Sequence, residues 1–209
     1  MCVPTNSLSD GSCDISIVEK LVSQINADVI VIKSTVPVGT TEALSKKYQK
    51  HLVMSPEYYG TTQHSEESPN FLVLGGDQAD CDKVAQLYYQ IKDGSFRVIF
   101  TNSSTAELAK YMENCFLATK VTFCNEFALI AKEFGVDYNQ LREIFISDPR
   151  IGASHTFVLE HQPYYDSHCL NKDILALIHQ SDNAQLMQNV YQINQIRKQQ
   201  YIKKQLETL

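Results

Sequence analysis

The chain has 209 residues, 44% of them hydrophobic, which is enough for one good core or for two small lobes that share one. Its formal net charge of -6 argues against a nucleic-acid partner, and no apolar run approaches the roughly 18 residues of a membrane span. The cysteines at Cys2, Cys13, Cys81, Cys115, Cys124 and Cys169 form no CxxC pair and no cluster with histidine, so the expectation is reduced thiols in a cytoplasmic protein and no metal site.

Ile15 to Ile25 has helical apolar spacing (Ile17, Val18, Leu21, Val22, Ile25), with Asp14 placed to cap it. Ala27 to Lys33 is a continuous β-branched run, the pattern of a strand buried on both faces. Thr40 to Tyr48 reads as a helix, and short strand-like runs follow at Leu52-Val53-Met54 and Phe71 to Leu74. A helix opens at Asp77 and runs to about Ile91, and Arg97 to Phe100 is a further strand. Such alternation predicts an α/β fold with a mainly parallel sheet.

After a boundary near Asn102 the pattern turns helical. Ser104 to about Phe134 forms one long helix, with Gly135 in the position that closes helices. Tyr138 to Phe145 is a shorter helix stopped by Asp148-Pro149, and an irregular stretch runs from Ile151 to His168. Ile174 to Gln180 and Ala184 to Leu206 complete a helical lobe. The last helix carries an apolar row at Leu186, Val190, Ile193, Ile196 and Tyr201, which a thin lobe cannot bury and which therefore predicts a dimer interface.

Seven strings, in order, resemble the UDP-glucose/GDP-mannose (nucleotide-sugar) 6-dehydrogenase family. They are VPT at Val3-Thr5, KSTVPVGTT at Lys33-Thr41, SPE at Ser55-Glu57, ELAKYMEN at Glu107-Asn114, FLATK at Phe116-Lys120, DPRIG at Asp148-Gly152 and KDILALI at Lys172-Ile178. The resemblance covers nearly the whole chain. It implies that residues 1–102 are the second half of an NAD-binding Rossmann domain and 103–209 a helical central, dimerising domain. By the same resemblance the chain is truncated at both ends, because it carries no GxGxxG loop for a dinucleotide pyrophosphate.

The resemblance also implies a reaction: two-step oxidation of the sugar hydroxymethyl group to a carboxylate, with NAD as cofactor and a cysteine thioester between the steps. Cys169 in Cys169-x-x-Lys172-Asp173 is then the nucleophile, Asp173 serves proton transfer, and Lys172 meets the substrate. Lys110 and Asn114, spaced i, i+4 on one helix face, are the oxyanion donors. Thr35 orders water, Glu57 is the acid-base carboxylate, and Val3, Pro4, Thr5 and Thr35 approach the cofactor. Arg150 corresponds to an arginine that reaches a partner subunit's nucleotide sugar; the plain alternative is an ion pair with Asp148 or Glu143. Each candidate has such a plain reading, a buried thiol for Cys169 and solvated side chains for Lys110 and Asn114.

Two departures from the family pattern bear on activity. Tyr164-Tyr165-Asp166-Ser167 replaces a glycine-rich loop before the cysteine, and Thr61 stands where the family has a second glutamate. They favour a second reading, a non-catalytic dimerising member of the family. A hydroxyacid dehydrogenase of similar architecture would share the Lys-x-x-x-Asn pair, but a single-hydride enzyme needs no Cys169.

Overall fold

The computed structural model describes residues 1–58, 70–91 and 96–207. Thr61 lies outside them. The first half holds α1 (Ser16–Gln24), β1 (Ile30–Ile32), α2 (Thr40–Tyr48), β2 (Leu52–Met54), β3 (Phe71–Gly75), α3 (Gln78–Ile91) and β4 (Arg97–Thr101). The four strands form one sheet in the order β1-β2-β3-β4. β1 and β2 run parallel, as do β3 and β4, and each pair is joined by a helix, α2 or α3. Between them β2 meets β3 antiparallel through Met54 and Gly75, so the sheet is Rossmann-like but mixed. An antiparallel neighbour needs no helical crossover, which is why strand-helix alternation did not reveal it.

The sheet continues beyond β1 without a further regular strand. The Met1 α-ammonium donates to the Val31 carbonyl (2.6 Å), and the Lys33 N–H donates to the Met1 carbonyl (2.8 Å). Residues 1–5 therefore run beside β1, as the resemblance of Val3-Pro4-Thr5 to a neighbouring Rossmann strand implies. At α1 the capping position falls on Ile15 rather than Asp14, yet the Asp14 carboxylate still accepts the Ser16 N–H at 2.8 Å.

The helical half consists of α4 (Ser103–Glu133), α5 (Tyr138–Ile146), α6 (His168–Gln180) and α7 (Gln185–Glu207). Asn102 caps α4, its side chain accepting the Thr105 N–H at 2.8 Å. Gly135, at φ 68°, closes α4 while Val136 N–H returns to the Ala131 carbonyl. α6 begins six residues before the sequence pattern implies, because Ser167 caps it by accepting the Leu170 N–H at 3.2 Å. That earlier start puts Cys169 in the first helical turn.

Three apolar clusters hold these parts together. Val18, Val22, Ile32, Val36 and Leu44 pack on one sheet face with Ala106 of α4, which ties the long helix to the sheet. Val53, Leu74, Cys81 and Val84 pack on the other face. Cys115, Ala118 and Val121 of α4 meet Leu170 and Ile174 of α6 and Val190 of α7. Full burial of one such branched side chain contributes about 1.5–3 kcal/mol, so α4 is secured at its first turn and again at its middle. The junction of sheet and helix is tight: a Cβ on Gly75 would lie 2.6 Å from the Ala106 Cβ and 2.7 Å from the Asn102 carbonyl oxygen.

Candidate functional site

A cleft of about 660 Å³ opens between the C-terminal ends of β1 and β2, with residues 2–5, and α4, and the loop from 154 to 167 with the first turn of α6 closes its far side. It brings together Val3, Pro4, Thr5, Thr35, Glu57, Lys110, Asn114, Cys169 and Lys172, nearly the whole set named from sequence. Two candidates lie elsewhere. Asp173 sits behind the cleft wall, 1% exposed. Arg150 is highly exposed and binds Asp148, its guanidinium meeting the carboxylate at 2.5 Å, which is the plain ion pair weighed above.

The strand-end wall is built by local hydrogen bonding. The Ser34 hydroxyl accepts the Val3 N–H and donates to the Val3 carbonyl, both at 2.8 Å. The buried Thr5 hydroxyl donates to the Thr35 carbonyl at 2.8 Å. These bonds fix residues 3–5 against residues 34–35 and leave the Thr35 side chain on the cleft. Lys33 lies 3.5 Å from the Glu57 carboxylate and donates to the Ser55 carbonyl at 3.3 Å.

Facing this wall, α4 presents Lys110 and Asn114 one turn apart. Lys110 donates to Glu113 at 2.5 Å and stands 4.8 Å from the centroid of the Tyr58 ring. Burial, with the Glu113 charge nearby, pushes the Tyr58 phenol up to about 12, so the ring stays neutral beneath the ammonium. Asn114, buried, donates through Nδ2 to Asp173 Oδ2 at 2.5 Å. Lys172 donates to the other Asp173 oxygen. Asp173 thus joins two groups that themselves line the cleft, and both of its oxygens are engaged.

Among the cysteines, Cys2 and Cys169 are exposed and line the cleft. Cys115 is buried, and desolvation with the Asp173 charge pushes its thiol up to about 12. Burial likewise pushes Cys81 up to about 11 and raises Cys13 and Cys124. Cys169 follows His168 in the chain, and the His168 Nε2 lies 3.0 Å from the Asn6 carboxamide oxygen.

Some residues that shape the site were not named from sequence. Glu113 could have been, since it lies i+3 from Lys110. Tyr58 adjoins Glu57 but carries no signal of its own. Glu107, 0% exposed, accepts the Gly39 N–H (2.6 Å), the Thr41 N–H (2.8 Å) and the Thr41 hydroxyl (2.6 Å). It locks the start of α2, and the loop after Thr35, onto the helix that carries Lys110. A partner some 66 positions away leaves no local pattern.

The fold class is a Rossmann-like α/β sheet joined to a helical lobe, with an exposed thiol, lysines and an amide lining one cleft. Comparison with known proteins specifies it. Residues 1–92 match the NAD binding domain of the UDP-glucose/GDP-mannose dehydrogenase family, and residues 104–196 match that family's central domain. The UDP-glucose 6-dehydrogenase of Rickettsia bellii is 33% identical over 188 residues, 84% of this chain and 43% of that protein. The UDP-N-acetyl-D-mannosamine dehydrogenase of Methanocaldococcus jannaschii is 29% identical over 93% of this chain and 47% of that protein. A UDP-glucose dehydrogenase structure from Pyrobaculum islandicum superposes with a TM-score of 0.80 at 26% identity, over 99% of this chain and 52% of that one. The chain belongs to the UDP-glucose/GDP-mannose dehydrogenase family, whose members are NAD-dependent dehydrogenases acting on CH–OH groups. It spans about half the length of these relatives. Among the described residues, no helix is long and apolar enough to cross a membrane and no group of three or more metal-ligating side chains occurs.

Proposed function

We propose that the chain supplies the thiol-bearing cleft of a nucleotide-sugar 6-dehydrogenase, with residues 1–102 as the cofactor-side half and 103–209 as the central domain. The observation that carries this reading is the convergence of Cys169, Lys110, Asn114 and Lys172 on one cleft, opposite Val3-Pro4-Thr5 and Thr35. Those last four residues fit one end of a nicotinamide cofactor, with the Val3 backbone held by Ser34, the Thr5 hydroxyl bonded to the Thr35 carbonyl and the Thr35 side chain on the cleft. A nicotinamide cofactor bound there would supply hydride acceptance, one hydride per NAD, so the two oxidations would consume two NAD molecules in succession. The Cys169 sulfur adds to the aldehyde carbon and retains the acyl group as a thioester after the second oxidation. Water cleaves the C–S bond, becomes part of the carboxylate and returns the thiol.

Around that sulfur the chain's groups divide the work. Lys110 and Asn114 donate to the oxygen that gains charge as sulfur adds. Asp173, coupled to Asn114 and Lys172, holds the proton balance behind them, while Lys172 itself faces the substrate. Glu57 exchanges protons with the attacking water, which Thr35 orients. Arg150, once freed from Asp148, reaches a partner subunit's nucleotide sugar.

Homodimerisation belongs to this reading. α7 exposes Leu186 and Ile196 but buries Val190, so only part of its apolar row is free. α4 exposes a longer one: Leu108, Met112, Phe116, Phe123 and Phe127 recur at helical spacing, and Met112 is 74% exposed. A non-catalytic dimerising module remains the second reading, favoured by Tyr164 and Tyr165 standing where the family has small residues.

The test is a thermal-shift series with UDP-glucose, GDP-mannose and N-acetylated UDP-hexoses. A ligand at 100 times its Kd stabilises the native state by about 2.7 kcal/mol, a readily measured rise in Tm. A rise with at least one of them is expected; no rise with any contradicts the reading.

A further inference from the structure

The loop that delivers Cys169 is held from outside, by α7. Asn194, 1% exposed, accepts the Tyr165 N–H through Oδ1 and donates through Nδ2 to the Tyr165 carbonyl, each at 2.9 Å. One carboxamide thus satisfies both backbone groups of a single buried residue. Four residues on, Lys198 binds the Asp166 carboxylate at 2.7 Å and lies 5.8 Å from the Tyr164 ring centroid. Three further, the Tyr201 ring stands 5.9 Å from that of Tyr164. The i, i+4, i+7 spacing puts all three on one face of α7. That face grips three consecutive residues, 164 to 166. Ser167, which caps α6, comes next, and Cys169 follows two residues later.

We propose that Asn194 is a positioning residue for Cys169, acting through Tyr165 and the Ser167 cap, with Lys198 as a second point of attachment. Its assignment as a residue of the reaction rests on the reading of Cys169 as the reacting thiol. The physical need is plain. The carboxamide replaces both water partners of the buried Tyr165 backbone, and without it a buried N–H and C=O lose their hydrogen bonds. With Tyr165 fixed, the polypeptide has only Asp166 to accommodate before the cap of α6. The same side chain therefore sets where the first turn of α6, and its thiol, enter the cleft.

Iodoacetamide labelling of the full chain, read by peptide mass mapping, tests this together with amide hydrogen exchange of the 162–171 segment. Cys2 lines the same cleft from the opposite wall and is the internal reference. In Asn194→Ala, exchange over Tyr165 to Leu170 should accelerate about fivefold or more, the factor one net hydrogen bond supplies. The Cys169-to-Cys2 labelling ratio should fall toward one, with exchange in α4 unchanged. Lys198→Met should shift both readouts in the same direction by less, and it decides the matter if Asn194→Ala does not fold. Wild-type exchange and wild-type ratio in the folded variants overturn the proposal, as does a uniform rise in exchange along the whole chain. Failure of the thiol reading shows separately, as slow Cys169 labelling in the unsubstituted protein, and leaves the exchange comparison intact.

Discussion

Asn114 and Asp173 lie 59 positions apart and meet at 2.5 Å behind the cleft wall, where Lys172 occupies the second carboxylate oxygen. The carboxylate serves two donors at once, and the contact adds a buried polar tie to the apolar packing of α4 on α6. Asp173→Asn keeps the volume but places an N–H₂ group against one of two donors and leaves Lys172, 11% exposed, without its counter-ion. Removing one member of so buried a pair costs about 3–5 kcal/mol. Urea denaturation should show a loss of that size, and a loss too small to measure would remove Asp173 from the framework of the site.

Glu107 predicts a pH dependence. Burial raises its carboxyl above the ordinary 4.5, with the bonds from Thr41 and Gly39 opposing the rise. A native carboxyl that holds its proton more tightly than the unfolded chain contributes stability below pH 4.5, and that contribution is lost as pH rises through the native value. Glu107→Gln cannot accept both the Gly39 and the Thr41 N–H groups, so it should cost about 1–3 kcal/mol near pH 4. The gap to the unsubstituted protein should then narrow as pH rises. Denaturation curves at several pH values check the sign; a gap that widens contradicts it.

The exposed α4 row predicts association. Light scattering at tens of micromolar should give twice the 23.7 kDa chain mass, and Phe116→Glu should return the monomer. A monomer without the substitution removes the dimer from the account.

Much of this architecture is legible in the sequence, for identifiable reasons. α2 and α4 emerge within a residue of their apolar patterns, because amphipathic spacing, a capping Asn102 and a closing Gly135 are local signals. The start of α6 is not legible from periodicity, since His168 to Asp173 show no clean apolar stripe and the start depends on the Ser167 cap. The antiparallel pairing of β2 with β3 rests on a single register contact, Met54 with Gly75, and no strand pattern encodes it. At the site, ordered motifs named Cys169, Lys110, Asn114 and Thr35. The partners that hold them, Glu107 for the Thr35 loop and Asn194 for Tyr165, are distant in the chain and act through backbone groups, which composition and spacing do not record.

The central claim is that Cys169 is the reacting thiol of the cleft, and the order of thiol labelling tests it most directly. Iodoacetamide at limiting concentration, followed by peptide mapping, ranks the six cysteines in the folded chain. Cys169 is exposed in the first turn of α6, whereas burial holds Cys115 at about 12 and Cys81 at about 11, and raises Cys13 and Cys124. The account predicts that Cys169 is modified first, with Cys2 next. Modification of Cys115 or Cys124 ahead of Cys169 would contradict it.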